Sequence, residues 1–146
     1  MKKFELTSEF VTFLGKTLFR IKALVSFGDV AEGELGGFIE RENNLDQSGN
    51  AWVYGDAQVF GNAQVCGNAW VQNCRDYSAT SCFGSENRTT TFFRTKDGGI
   101  SVRCGCFYGT LREFREKVKE RHGDSRLAKE YLMLADLMEF RLSKDE

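Results

Sequence analysis

His122 is the only histidine of the chain and stands just before Gly123-Asp124, at the end of a strongly charged run. A general base must lie within hydrogen-bond reach of the proton it removes, and the sequence offers no second histidine to share such work. No Gly-rich phosphate loop or serine-nucleophile elbow occurs either. These residues point away from catalysis. The five cysteines are odd in number and unevenly spaced, which suits a reducing cytosol better than a disulfide framework. Cys104 and Cys106 alternate in phase with Ile100 and Val102, as small packing groups on one strand would. The alternative is zinc, which wants two well-spaced ligand pairs; Cys74, Cys82 and His122 would complete a site only if folding brought them together. The expectation is therefore no catalytic residue, no metal and no cofactor.

What remains is binding chemistry. Trp52, Tyr54 and Trp70 are large rigid aromatics of the kind that dominates interface energetics. Charge is divided unevenly although the net charge is only −1. Residues 29–56 hold seven acids against Arg41 alone, a local charge of −6; residues 88–129 hold eleven bases against five acids, a local charge of +6. The run Arg112, Arg115, Lys117, Lys119 and Arg121 supplies most of the basic excess. Glu113, Glu116 and Glu120 are interleaved with them, as on an ordinary solvated helix face; the functional reading is a bipolar surface that steers an oppositely charged partner. Trp52, Tyr54, Trp70, Arg112, Arg115 and Lys119 are the candidate partner-binding residues. The charge balance argues against direct nucleic-acid binding.

The elements that position the aromatics come from residues 49–72: GNAWVY, GDAQVF, GNAQVC, GNAWVQ, four six-residue units without a gap. Gly recurs at 49, 55, 61 and 67, Ala at 51, 57, 63 and 69, and Val at 53, 59, 65 and 71. Ala and Val two apart share one side of a short strand, and Gly-Asn or Gly-Asp tolerates the positive φ of a sharp corner. Three such sides close a coil of about eighteen residues. The period predicts a short left-handed parallel β-helix of about two coils, with a Gly-Asn hairpin meander as the alternative. Trp52 and Trp70 are one coil apart, so they are expected to stack on one outer face at about 4.8 Å. That face either stays open or is covered by another segment.

The flanks read as caps. Residues 1–27 alternate as β-structure around Gly15-Lys16; Gly28-Asp29 makes a loop, and the repeat begins degenerately near residue 38. Glu5, Thr7, Ser8 and Glu9 break up any signal-peptide core after Met1-Lys2-Lys3, and no stretch of about twenty apolar residues spans a membrane. Residues 77–87 look irregular or weakly stranded. Thr89 to Arg94 and Ile100 to Phe107 flank Asp97-Gly98-Gly99, a hairpin signal. Thr110-Leu111-Arg112-Glu113 has the form of a capping box and opens a helix with Leu111, Phe114 and Val118 on its apolar stripe, ending at Gly123. Asp124 or Ser125 opens a second helix to about Leu142. The expected fold is mainly β with α: an N-terminal β cap over 1–37, the β-helix over 38–73, and a ββαα cap over 74–146.

Several of these motifs resemble a known family. Gly28-Asp29-Val30, Gly36-Gly37-Phe38-Ile39-Glu40 and Asn44-Leu45 lead into Gly49-Asn50-Ala51-Trp52-Val53, and Thr95-Lys96-Asp97-Gly98-Gly99-Ile100, Cys104-Gly105-Cys106-Phe107 and His122-Gly123-Asp124 follow. Together they look like the short hexapeptide-repeat, "polymer-forming" proteins encoded by phages, prophages and their bacterial hosts. The resemblance implies a β-helix and a phage setting. Hexapeptide-repeat acyltransferases share the coil architecture but use a histidine within the β-helix; here His122 lies outside the repeats. The resulting expectation is a cytosolic, non-catalytic protein-binding module, a phage-encoded inhibitor of a host defence or nucleic-acid-handling complex of the anti-CRISPR kind. The partner would be a host protein or protein–nucleic-acid complex. A structural, self-assembling or virion-associated module, hence a homo-oligomer, is the runner-up, and a divergent acyltransferase comes third.

Overall fold

The computed structural model describes residues 2–83 and 88–143. Met1 and the part of the 77–87 expectation that falls on residues 84–87 lie outside them. The chain opens with β1 (Phe4–Phe13) and β2 (Lys16–Ala23), an antiparallel hairpin turning at Leu14 and Gly15, both with positive φ. β3 (Leu35–Ile39) pairs antiparallel with β2, and β5 (Gln58–Val59) extends the same sheet in parallel to β3. β4 (Trp52–Val53) and β6 (Trp70–Val71) form a separate two-stranded parallel sheet. Then β7 (Tyr77–Phe83), β8 (Arg88–Arg94), β9 (Ile100–Cys104) and β10 (Phe107–Thr110) build a second four-stranded sheet, antiparallel throughout. Helices α1 (Leu111–His122) and α2 (Arg126–Leu142) complete it. No helix among the described residues is long and apolar enough to cross a membrane.

This corrects the fold class expected from the repeat. The protein is mixed α/β, with mainly antiparallel sheets and two helices, and not a mainly-β chain organised as a left-handed β-helix between caps. Among the described residues, parallel pairing is confined to Phe38–Gln58 with Ile39–Val59, Trp52–Trp70 with Val53–Val71, and the isolated Leu45–Val65 bridge. The physical reason is strand length. Each repeat strand is two residues long, whereas β1 and β2 run for ten and eight, and strands of only a few residues are marginal without other support. The long antiparallel hairpins therefore set the architecture, and the repeat joins it as short edges. Two further expectations change. Residues from Tyr77 form a full strand, and the Ile100–Phe107 run breaks at Gly105, whose φ of 59° places it first in a two-residue hairpin loop between paired Cys104 and Phe107.

The local chemistry of the repeat nonetheless acts as its residue types require. Gly49, Gly55, Gly61 and Gly67 all have positive φ, and Ala51, Val53, Ala57, Val59, Ala63, Val65, Ala69 and Val71 are all buried in one cluster with Phe4, Ile21, Ile39, Trp52 and Phe93. Gly36 and Gly37 permit a close approach of backbone to backbone: a Cβ on Gly36 would lie 2.6 Å from the carbonyl oxygen of Val53, and one on Gly37 2.6 Å from that of Ala57. Two cations pin the flanks to the repeat. Arg20 on β2 donates to the Gly36 and Gly55 carbonyls, pairs with Asp56 and Glu9, and lies 4.3 Å over the Phe38 ring. Lys3, buried, donates to the Ala51 carbonyl at 2.8 Å and sits 4.8 Å from the centre of the Phe27 ring.

A second cluster joins the outer sheet to the helices: Phe92, Val102, Leu111, Phe114, Val118, Tyr131, Ala135 and Met138 are among its members. The capping box forms, with Thr110 Oγ1 accepting from Glu113 N–H and Glu113 Oε1 accepting from Thr110 N–H. Ser125 caps α2 through Ala128 N–H. Arg94 ties the halves together. It pairs with buried Asp76, just after the repeat, at 2.9 Å, and donates to the carbonyls of Leu142 and Ser143 at the end of α2.

Candidate functional site

A cleft of about 440 Å³ lies where the C-terminal half of α1 passes the β9–β10 loop. Its position follows from α1: Phe114 and Val118 are buried on the stripe facing the sheet, and Lys117, Arg121 and His122 flank that stripe at helical spacing. Aromatic rings form the walls. Phe114 stands edge-on to Phe92, Tyr131 and, more obliquely, Phe107, at centroid distances of 5.7, 5.7 and 5.9 Å. His122 stacks on Tyr131 at 5.8 Å, and Tyr108 lies nearly parallel to Phe93 at 6.5 Å. Cys104 and Cys106 also line the cleft. Cys104 is half-buried and its sulfur accepts from the Thr90 hydroxyl at 3.2 Å, but Cys106 is exposed, so the expectation that both are core packing groups holds for one of them. Its exposure follows from the turn, which takes Cys106 out of the β9 ladder. The zinc reading required Cys74, Cys82 and His122 to converge on them; the side chain of Cys82 lies outside the described residues, and among those described no group of three or more such ligands could hold a metal ion.

The structure separates the candidate aromatics. Trp52 and Trp70 are paired, as the eighteen-residue spacing requires. Trp52, however, is not on an outer face: it is 0 % exposed, sealed by Phe27 at 5.3 Å and Phe4 at 6.4 Å. The N-terminal strand and the loop after β2 cover it because its large apolar surface is worth more buried than solvated. Its indole N–H has no hydrogen-bond partner among the described residues. Tyr54 and Trp70 remain half-buried, edge to face at 5.9 Å, and line a smaller cleft of about 290 Å³ together with the ion pair of Lys96 and Asp29. Burial, with the nearby Asp29 and Glu34 carboxylates, pushes the Tyr54 hydroxyl above its ordinary pKa.

The three candidate cations do not form one surface. Arg115 is engaged between the helices, 2.8 Å from Asp136 and 2.7 Å from Glu139. Arg112 is exposed with Glu116 at 3.7 Å, and Lys119 is exposed. The residues that do line the large cleft, Lys117, Arg121 and His122, were legible as neighbours of Phe114 and Val118 at i+3, i+4, i+7 and i+8.

A further surface went unread in the sequence. α2 buries Tyr131, Leu134, Ala135, Met138 and Leu142 on one side, yet Met133, Leu137 and Phe140 on the other are 71, 55 and 85 % exposed. Their spacing of four and three residues is the signal of a second apolar stripe. Compared with known proteins, the chain matches no family model and no curated protein.

Proposed function

We propose that the protein is a non-catalytic binding module that docks on another protein through the outward row of α2. The observation that carries this reading is that α2 is apolar on two opposite faces while only one is packed: Met133, Leu137 and Phe140 face solvent. An i, i+4, i+7 row is how an amphipathic helix enters the apolar groove of a partner. Single exposed apolar residues are ordinary, but three on one stripe make a contiguous patch. Arg126, Lys129, Asp136 and Arg141 border it with charges of both signs, the polar rim such interfaces have. In its specific form the reading takes its setting from the family resemblance alone: a phage- or prophage-encoded inhibitor acting in the host cytoplasm, with a host defence or nucleic-acid-handling complex as the partner.

The test compares wild type with Leu137→Asp/Phe140→Asp. Both positions are exposed, so the double variant should melt within about 2 °C of wild type, since surface changes rarely exceed about 0.5 kcal/mol. A partner captured from host cells, identified and re-bound in purified form, should lose at least about tenfold in affinity, or about 1.4 kcal/mol. Unchanged affinity would overturn the α2 assignment. A second copy of this chain is the occupant favoured by the self-assembling reading. Concentration-dependent dimerisation in light scattering, abolished by the same double variant, would select it and displace the partner-protein reading.

A further inference from the structure

The cleft between α1 and the β9–β10 loop has no part in the α2 interface, and its lining is chemically one-sided. Lys117 and Arg121 lie one helical turn apart on its wall, His122 adjoins them, and no carboxylate is among the residues that line it. Lys117 reaches exposed Glu120 at 3.4 Å; no ion pair of Arg121 is found among the described residues. Cations at a helix end offset the partial negative charge of the last carbonyls, which accounts for Arg121 and His122. It does not account for Lys117, a turn farther in, nor for the aromatic cleft beside them.

The cavity explains what such cations would be for. Its volume of about 440 Å³ lies within the usual range for small-molecule sites. One flat ring at the cleft, His122, is backed on one face by another, Tyr131. His122 is half-buried, so it keeps surface for a further ring. A guanidinium with a forked set of N–H donors and an ammonium with three are more donors than one carboxylate can accept, and they match a phosphate with its three oxygens. We propose that this cleft binds a mononucleotide, the phosphate held by Lys117 and Arg121 and the base stacked against His122. Binding is non-covalent, and no bond forms or breaks.

Calorimetric titration of the full chain with AMP, adenosine, inorganic phosphate and phenyl phosphate tests this. AMP should bind saturably and at least tenfold more tightly than either adenosine or phosphate alone. Lys117→Gln/Arg121→Gln, both exposed positions, should keep the wild-type melting temperature, weaken AMP at least tenfold and leave adenosine unchanged. His122→Ala should weaken AMP and adenosine alike. Equal affinity for AMP and adenosine would overturn the proposal by showing an apolar cleft with idle cations. Equal affinity for phenyl phosphate and AMP would overturn it in favour of a phosphotyrosine side chain. No AMP binding at millimolar concentration, or none lost in the double variant, would also overturn it.

Discussion

The repeat half and the helical half of this molecule bury apolar surface in opposite ways. In the repeat half small residues recur on a fixed period, the walls are thin, and other segments close over them: Trp52 is sealed by Phe27 and Phe4, and Lys3 caps the Ala51 carbonyl from the same side. In the helical half large side chains pack between one sheet and two helices, and α2 is left with an apolar row facing outward. The repeat half leaves little room for change where backbones meet, as at Gly36 and Gly37. A helix surface has room to vary. The comparison teaches that the repeat half closes its apolar surface over itself, whereas the helical half leaves an apolar row to solvent.

The largest effect should come from breaking the closed half. Val59 is fully buried between β3 and the repeat interior. Val59→Asp would place an unpaired carboxylate there, at a cost on the order of several kcal/mol. The protein should lose its cooperative melt or fall by roughly 10 °C or more. A shift of only about 2 °C would mean that the repeat core is not closed.

Trp52→Ala comes next. Removing a fully buried indole should cost about 3–5 kcal/mol through lost transfer energy and the cavity left behind. Trp70→Ala, at a half-buried position, should cost less than half as much. Denaturant unfolding of both measures the difference; equal losses would place the two indoles in equivalent environments and erase the distinction the N-terminal segment makes.

These outcomes bear on what the sequence disclosed. The six-residue period made the burial of Ala and Val and the turn role of Gly legible, because both follow from one unit's own chemistry. It also gave the Trp52–Trp70 neighbourhood. It did not give the fold class, since sheet direction depends on how residues far apart in sequence pair, and β1 and β2 pair longer than any repeat strand. Nor could it show that Phe4 and Phe27 would reach Trp52. In the helical half the caps at Thr110 and Ser125 were legible as local hydrogen-bond chemistry. The large cleft was not, because its walls come from β9, β10, α1 and α2 together.

Lys3 sharpens the comparison through pH. Burial lowers its pKa to about 8, although Asp46 works in the other direction. Because the unfolded chain holds this proton up to about pH 10.4, between about pH 8 and that value the unfolded state binds more protons than the folded one. Stability contributed through this group therefore rises with pH across that window. Lys3→Met should cost about 2 kcal/mol at neutral pH by leaving the Ala51 carbonyl without its donor. The deficit relative to wild type should widen from pH 8 to 10. A deficit that stays constant would mean that the ammonium is solvated.

The smallest effect belongs to the open half. Arg115 joins α1 to α2 through Asp136 and Glu139, and those carboxylates are 75 and 57 % exposed. Partial burial works against its charge, but the two acids hold the guanidinium above its ordinary pKa. Exposed ion pairs are worth little, so Arg115→Gln should cost about 0.5–1 kcal/mol. Salt separates this contact from the buried one. At 1 M salt the screening length falls to about 3 Å, so the difference between Arg115→Gln and wild type should shrink towards zero in salt-dependent melts. The deficit of Lys3→Met, whose ammonium is enclosed, should persist. If both deficits vanish together, the Lys3 contact is as solvated as the interhelical one, and the two halves are held by the same kind of interaction. If Arg115→Gln instead weakens partner binding without changing the melt, the basic helix face is a contact surface in its own right, and its ion pairs open when the partner docks.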